Sequence, residues 1–217
     1  MTETPTRLLV LGSPGSGKTR LSRTLAARTG WPLHHLDDEY WGEDWTRPEP
    51  SAWLSRQREL AAGPAWIIEG NYRESIPVRA ARAQVVILVD TPAHRCLYRA
   101  LLRAARIRAG RPEALPRRVA AQATAGARVA ATADFGGLLR KILRFRRVDW
   151  WPVVAAARTN PGSTLLVAVG RGHPPGHGAA LRRTFRARGI PATVLPLPAI
   201  APLFGAALEG TSSCVYW

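Results

Sequence analysis

The residues with the most specific chemistry lie near the N-terminus, where Gly12-Ser13-Pro14-Gly15-Ser16-Gly17-Lys18-Thr19 satisfies the spacing G-x-x-x-x-G-K-[ST]. Glycines at 12, 15 and 17 let the backbone curl so that successive N–H groups point at phosphate oxygens, with the positive end of a helix dipole behind them. In such a loop Lys18 bridges the β- and γ-phosphates and the Thr19 hydroxyl holds Mg²⁺. All eight residues form the expected nucleotide site, and ATP and Mg²⁺ are the expected cofactors. Further on, Asp37-Asp38-Glu39 offers carboxylates that can take a proton from an acceptor hydroxyl. The neighbouring Tyr40, Trp41 and Trp45 suit stacking on a planar molecule such as a base, and equally suit ordinary packing.

These residues need elements to hold them at one place. Arg7 to Leu11 reads as a short apolar strand and Lys18 to Arg28 as a helix, so the loop lies in the strand–turn–helix context that the motif requires. Leu33 to Leu36 reads as a second strand followed by an acidic and aromatic loop. A helix near Ser51 to Ala62, a strand at Ala65 to Glu69 and a strand at Gln84 to Asp90 come next, the last an apolar run suited to burial on both faces. Thr91 and Pro92 read as N-cap and first residue of a helix to Ala109. Gly110 to Gly137 has no stable apolar period. Helices follow at Leu138 to Arg147, Trp151 to Arg158 and Gly178 to Arg188, with a fifth strand at Ser163 to Val169 and a candidate sixth at Ala192 to Leu195. The expected fold is α/β, a three-layer P-loop NTPase fold with a central five-stranded parallel sheet and a helical, Arg-rich lid. Residues 1–217 are expected to form one kinase-like domain, with a lid-like insertion at 99–140 and a Pro-rich tail at 189–217.

The chain resembles the adenylate kinase-like group of P-loop phosphotransferases. Within it the resemblance is closest to the bacterial DNA topology modulation proteins, which are kinase-like. The matching pieces are Gly12 to Thr19, His35-Leu36-Asp37 with Trp41 and Trp45, and Trp66-Ile67-Ile68-Glu69-Gly70-Asn71-Tyr72. Ile87-Leu88-Val89-Asp90 and Arg108-Ala109-Gly110-Arg111-Pro112 complete them, in order over about two thirds of the chain. After Glu113 the family's Gly-Cys-Pro-Glu segment is missing. The resemblance implies that Asp37 contacts the acceptor hydroxyl and takes its proton, with Trp41 beside the acceptor. Glu69 and Arg73 are spaced as in the Asp-Gly-Phe-Pro-Arg segment of adenylate kinases, which implies Glu69 near Mg²⁺ and Arg73 as an anion clamp. Asp90 is the second choice for the metal shell, with helix capping as its other reading. Arg99 and Arg103 resemble the Arg-x-x-x-Arg at the start of an adenylate kinase lid, which implies Arg99 on adenine and Arg103 on phosphate, the latter counted with Lys18 and Asp37 as catalytic.

Composition bounds the rest. Of 31 Lys and Arg residues, Lys18 and Lys141 are the lysines and 29 are arginines, against 15 acids. The excess lies in the second half, and Arg95 to Arg147 holds 14 basic residues against 2 acidic. Such a block serves an arginine-lined phosphate pocket or a surface for a polyanion. The alternative to a kinase is therefore a nucleic-acid-binding P-loop regulator using residues 95–147, although no recognised nucleic-acid-binding motif is present. Arg140 to Arg147 read as largely solvated. Cys96 and Cys214 fit a reducing cytosol rather than a disulfide scaffold, and the longest uncharged stretch, Gly189 to Leu208, is interrupted by prolines, so a cytoplasmic protein without a membrane span is expected. It is expected to act as a monomer or homodimer on a small-molecule phosphoryl acceptor. His173 and His177 are set aside as a metal site, because Pro174-Pro175-Gly176 prevents a helix between them and no further Cys or His completes the set.

Overall fold

Strands and helices alternate along the chain as the apolar patterning requires. The computed structural model describes residues 5–42, 46–111 and 134–204. The first half comprises β1 (Arg7–Gly12), α1 (Lys18–Thr29), β2 (Leu33–His35), α2 (Leu36–Tyr40), α3 (Pro50–Ala62), β3 (Trp66–Glu69), α4 (Ile76–Ala80) and β4 (Val85–Asp90). The second comprises α5 (Ala93–Arg108), α6 (Phe135–Arg144), α7 (Trp150–Ala157), β5 (Thr164–Val169), α8 (His177–Ala187) and β6 (Thr193–Pro196). The strands form one sheet in the order β2-β3-β1-β4-β5-β6, every pair parallel.

Alternation along β1 divides the core. Leu8 and Val10 face α1, where they meet Leu21 and Leu25, whereas Leu9 and Leu11 lie in the opposite cluster with Trp66, Val153 of α7 and Phe185 of α8. Both faces are thus covered, as a parallel sheet demands. A separate small cluster of Cys96, Ala100 and Ile142 joins α5 to α6.

The sheet has six strands where five were expected. Thr193 to Pro196 pairs with β5 from Leu166↔Thr193 to Val169↔Pro196, and an edge position tolerates a proline that lacks a donor. Beyond it, two 3₁₀ turns return buried Ile200 and Phe204 to the α1 face, and Arg28 Nε donates to the Phe204 carbonyl at 3.2 Å. The described part of the expected tail is therefore core and sheet edge; 205–217 lie outside the described residues. So do 112–133 within the expected lid, as do Trp45 and Pro112 of the quoted motifs.

Three local readings differ as well. Asp37 begins no loop but lies in the helical turn α2. Helix α5 starts at Ala93 with Pro92 at its N-cap, and the Thr91 hydroxyl donates to the Ser16 carbonyl at 2.8 Å instead of capping. Helix α6 begins earlier than expected, at Phe135, with the Asp134 carboxylate accepting from the Gly137 amide, and a π-helical turn, Phe145–Asp149, leads into α7. No helix among the described residues is long and apolar enough to cross a membrane.

Candidate active site

The phosphate loop leaves the carboxyl end of β1, where side chains of parallel strands give way to a cleft. Two of its glycines are dictated by both backbone and space. Gly12 has φ +148 and a Cβ there would lie 2.6 Å from the Val89 carbonyl oxygen; Gly15 has φ +76 and its Cβ would meet the Cys96 carbonyl oxygen at 2.5 Å. The loop is braced from behind. Asn71 brackets Gly12, accepting from its amide at 3.0 Å and donating to its carbonyl at 2.9 Å. Arg99 of α5 donates to the Gly15 and Ser16 carbonyls at 3.2 and 3.1 Å. With the Ser16 carbonyl committed to Thr91 and Arg99, the Gly17 amide of the same peptide points the other way, while the Ser16 amide closes a turn onto the Ser13 carbonyl at 3.1 Å.

Glu69 is the hub in front of the loop. Its carboxylate accepts from Thr19 Oγ1 at 3.1 Å, meets His35 Nδ1 at 2.9 Å and lies 3.8 Å from Lys18 Nζ. Burial raises its pKa, but the His35 hydrogen bond, Lys18 and Thr19 outweigh that effect and hold the carboxyl below its ordinary value. Lys18 also donates to the Ser13 carbonyl at 3.2 Å. An amine, a hydroxyl and an ionised carboxylate thus meet at the start of α1. The hydroxyl and carboxylate are hard oxygen donors of the kind Mg²⁺ takes, and the residues present fit that ion.

Asp37 faces the same cleft from α2. It accepts the Tyr72 hydroxyl proton at 2.9 Å, and burial together with the Asp37 charge pushes the Tyr72 phenol up, keeping it a donor. Tyr40 packs edge-on against Trp41 and Trp53, with ring centroids 5.0 and 4.9 Å apart, and lies 4.6 Å from Tyr72. Trp53 was not read as part of the aromatic group, because on sequence it is one apolar position of α3. Arg73 reaches Asp149 at 3.4 Å, a long ion pair on a half-exposed side chain. Lys18, Asp37, Glu69, Trp41, Arg73, Arg99 and Arg103 all line one open cleft of about 2030 Å³.

The turn that carries Glu69, Asn71, Tyr72 and Arg73 is fastened by a residue that sequence reading passed over. Arg79 of α4 is fully buried and donates to the Gly70 carbonyl at 2.7 Å and the Asn71 carbonyl at 2.6 Å. Among the described residues no carboxylate pairs with it directly, and burial pushes its guanidinium down to about 9. One arginine among 29 gives no sign on sequence that it is internal.

Asp90 lies away from the Glu69 cluster and neither caps α5 nor meets Thr19. Its buried carboxylate is held by Arg146, a residue expected to be solvated, and by His177 Nε2 at 2.8 Å, with His173 Nε2 at 3.6 Å. The pair His173 and His177 therefore does have a third potential ligand, supplied by a strand more than eighty residues away, which the spacing between the histidines could not reveal.

No protein-family model matches the chain, and no curated protein sequence matches it. The resemblance to the DNA topology modulation proteins accordingly has no support beyond the quoted motifs. Among solved structures, a shikimate kinase from Acinetobacter baumannii in complex with shikimate is similar at 15% identity, over 86% of this chain and 95% of that one, with TM-score 0.46. A sugar kinase from a Janibacter species, unliganded, is similar at 16% identity, over 93% of this chain and 100% of that one, with TM-score 0.38. At such identities and scores these likenesses do not say what this chain acts on.

Proposed function

We propose that the protein is an ATP- and Mg²⁺-dependent phosphotransferase that moves the γ-phosphoryl group to a hydroxyl of a small molecule. The observation that carries this reading is the placement of the Lys18–Thr19–Glu69 cluster and Asp37 on one cleft, together with the phosphate loop's Gly15 and Gly17. The loop amides and Lys18 bind and orient the nucleotide's phosphates, and Thr19 and Glu69 hold the metal. Mg²⁺, when bound, neutralises phosphate charge and aligns the phosphate chain. Asp37, oriented by Tyr72, accepts the acceptor's hydroxyl proton through the carboxylate. The aromatic wall of Tyr40, Trp41 and Trp53 excludes water and presents flat apolar surface to the acceptor, while Arg73 supplies a cation for an acceptor that carries an anion. Arg99 secures the loop, and Arg103 faces the phosphates from the next turn of α5.

The arginines of α5 bear on the alternative, nucleic-acid reading. Arg95, Arg99, Arg103 and Arg106 line the cleft that holds the phosphate loop, which favours a phosphate pocket over a track for a polymer. The test is transfer of labelled γ-phosphate from Mg·ATP to a pool of nucleosides, nucleotides and hydroxyl metabolites. Label passes to an acceptor with the natural chain and fails to pass with Lys18→Ala and Asp37→Asn, both still folded by circular dichroism. Absence of any labelled acceptor, together with retention of DNA or RNA that weakens steeply with salt, refutes the kinase reading.

A further inference from the structure

Three groups with metal-ligating atoms converge apart from the Glu69 cluster, at the carboxyl end of β4. Asp90, His173 Nε2 and His177 Nε2 place their ligand atoms within 4.8 Å of one another. The two imidazole rings stack face to face, centroids 3.7 Å apart and 2° from parallel, and the same Asp90 oxygen lies 2.8 Å from His177 Nε2 and 3.6 Å from His173 Nε2. The other carboxylate oxygen is taken by Arg146, an outer-shell hydrogen bond of the kind that orients a ligating carboxylate.

A hydrogen-bonded cluster alone explains His177, which lies 2.8 Å from Asp90, but leaves the Nε2 of His173 unexplained. Its Nε2 is buried and has no hydrogen-bond partner, at 3.6 Å from the nearest carboxylate oxygen. A buried ring nitrogen left without a partner costs free energy, and its presence beside a carboxylate and a second imidazole needs a reason. Beside Asp90 and His173 lies a small cavity of about 60 Å³, bordered also by Arg146, Ser13 of the phosphate loop and apolar Val89 and Phe145. It has room for about two waters, which would complete a coordination shell.

We propose that Asp90, His173 and His177 bind a divalent transition ion of the zinc class, an ion distinct from the Mg²⁺ expected at Thr19 and Glu69. Ligand bonds of about 2.0–2.2 Å in a tetrahedral shell require ligand atoms about 3.3–3.6 Å apart; His173 Nε2 lies 3.6 Å from the Asp90 oxygen, and His177 Nε2, at 2.8 Å, must draw back. Because an imidazole lone pair lies in the ring plane, the stacked rings must open from parallel by side-chain rotation to converge on one ion. Two imidazoles and one carboxylate suit zinc, cobalt or nickel rather than Mg²⁺ or Ca²⁺, which take oxygen ligands. The ion ties the turn that precedes α8 to the end of β4.

The experiment uses tag-free, full-length protein stripped with EDTA and titrated with ZnCl₂ or CoCl₂ in millimolar Mg²⁺, followed by calorimetry and by Co²⁺ ligand-field absorption. The natural chain binds one Zn²⁺ and develops a Co²⁺ spectrum of a nitrogen- and oxygen-ligated ion. His173→Ala lowers Zn²⁺ affinity by about 100-fold or more and loses the spectrum, as does His177→Ala. Zn²⁺ raises the melting midpoint of the natural chain above its own value in EDTA and leaves that of His173→Ala at its own value in EDTA, which separates loss of a ligand from loss of the fold. Zn²⁺ binding or a Co²⁺ spectrum unchanged by His173→Ala, or no Zn²⁺ binding at all, overturns the proposal and leaves a hydrogen-bonded cluster.

Discussion

Replacing Asn71 tests how the phosphate loop is held. Its amide both accepts from and donates to Gly12, at 3.0 and 2.9 Å, so one side chain satisfies two main-chain groups at the first residue of the loop. Each such bond contributes about 0.5–1.5 kcal/mol net, and a buried group left unpaired costs about 1–3 kcal/mol. With water able to reach part of this site, Asn71→Ala is expected to lose about 2–3 kcal/mol. Asn71→Asp is more informative. It keeps an acceptor for the Gly12 amide but sets a second carboxylate oxygen against the Gly12 carbonyl, where a donor stood. At neutral pH it should lose at least as much as Asn71→Ala, despite differing from asparagine by one atom. The repulsion raises the pKa of the introduced carboxyl in the fold, and the protonated form donates to Gly12 as the amide did. Relative to the natural chain, Asn71→Asp therefore regains stability as pH falls through the carboxylate range, about pH 4, whereas Asn71→Ala does not. Urea unfolding followed by tryptophan fluorescence reads both effects as shifts in midpoint at constant slope. If Asn71→Asp at pH 7 unfolds with the natural chain, the bracket on Gly12 does not hold the loop.

Arg79→Met leaves the Gly70 and Asn71 carbonyls without their donor; two short charge-assisted bonds at about 1.5–3 kcal/mol each, less the relief of a buried charge, predict a loss of about 3 kcal/mol in denaturant unfolding. Gly15→Ala forces a left-handed alanine, about 1–2 kcal/mol, and drives its Cβ against the Cys96 carbonyl, so stability and nucleotide affinity should fall together in melting and calorimetric titration. Burial lowers the His34 pKa, so between that lowered value and the ordinary 6.5 the unfolded chain binds more protons than the folded one. Stability therefore rises with pH through that window and is lost below it, and His34→Gln should flatten the slope of midpoint against pH.

The phosphate loop was legible because its chemistry is local: eight consecutive residues, an apolar strand before and a helix after. Glu69 and Asp37 were legible for a related reason, since each ends or follows a strand and the carboxyl ends of parallel strands share one edge. What escaped depended on contacts distant in sequence. Asp90 reads as a strand-terminal acid beside Thr-Pro, and only the packing of the π-helical turn, of the segment before α8 and of the first residue of α8 gives it Arg146, His173 and His177. Thr91 resembles a helix cap on local grounds, yet the neighbouring loop offers its hydroxyl the Ser16 carbonyl. The edge strand β6 is four residues long and ends in proline, so pairing with β5 rather than propensity decides it.

The Ser16 carbonyl, shared by Thr91 and Arg99, has a thermodynamic consequence. Donors that fix a carbonyl also fix the opposite face of its peptide, so the loop's amide directions are set by β4 and α5 before any anion arrives. The ordering entropy of the loop is then charged to folding rather than to binding, and phosphate affinity becomes a property of how tightly α5 seats on the sheet. A substitution remote from the phosphates that unseats α5 would weaken nucleotide binding without touching a single group that contacts the ligand.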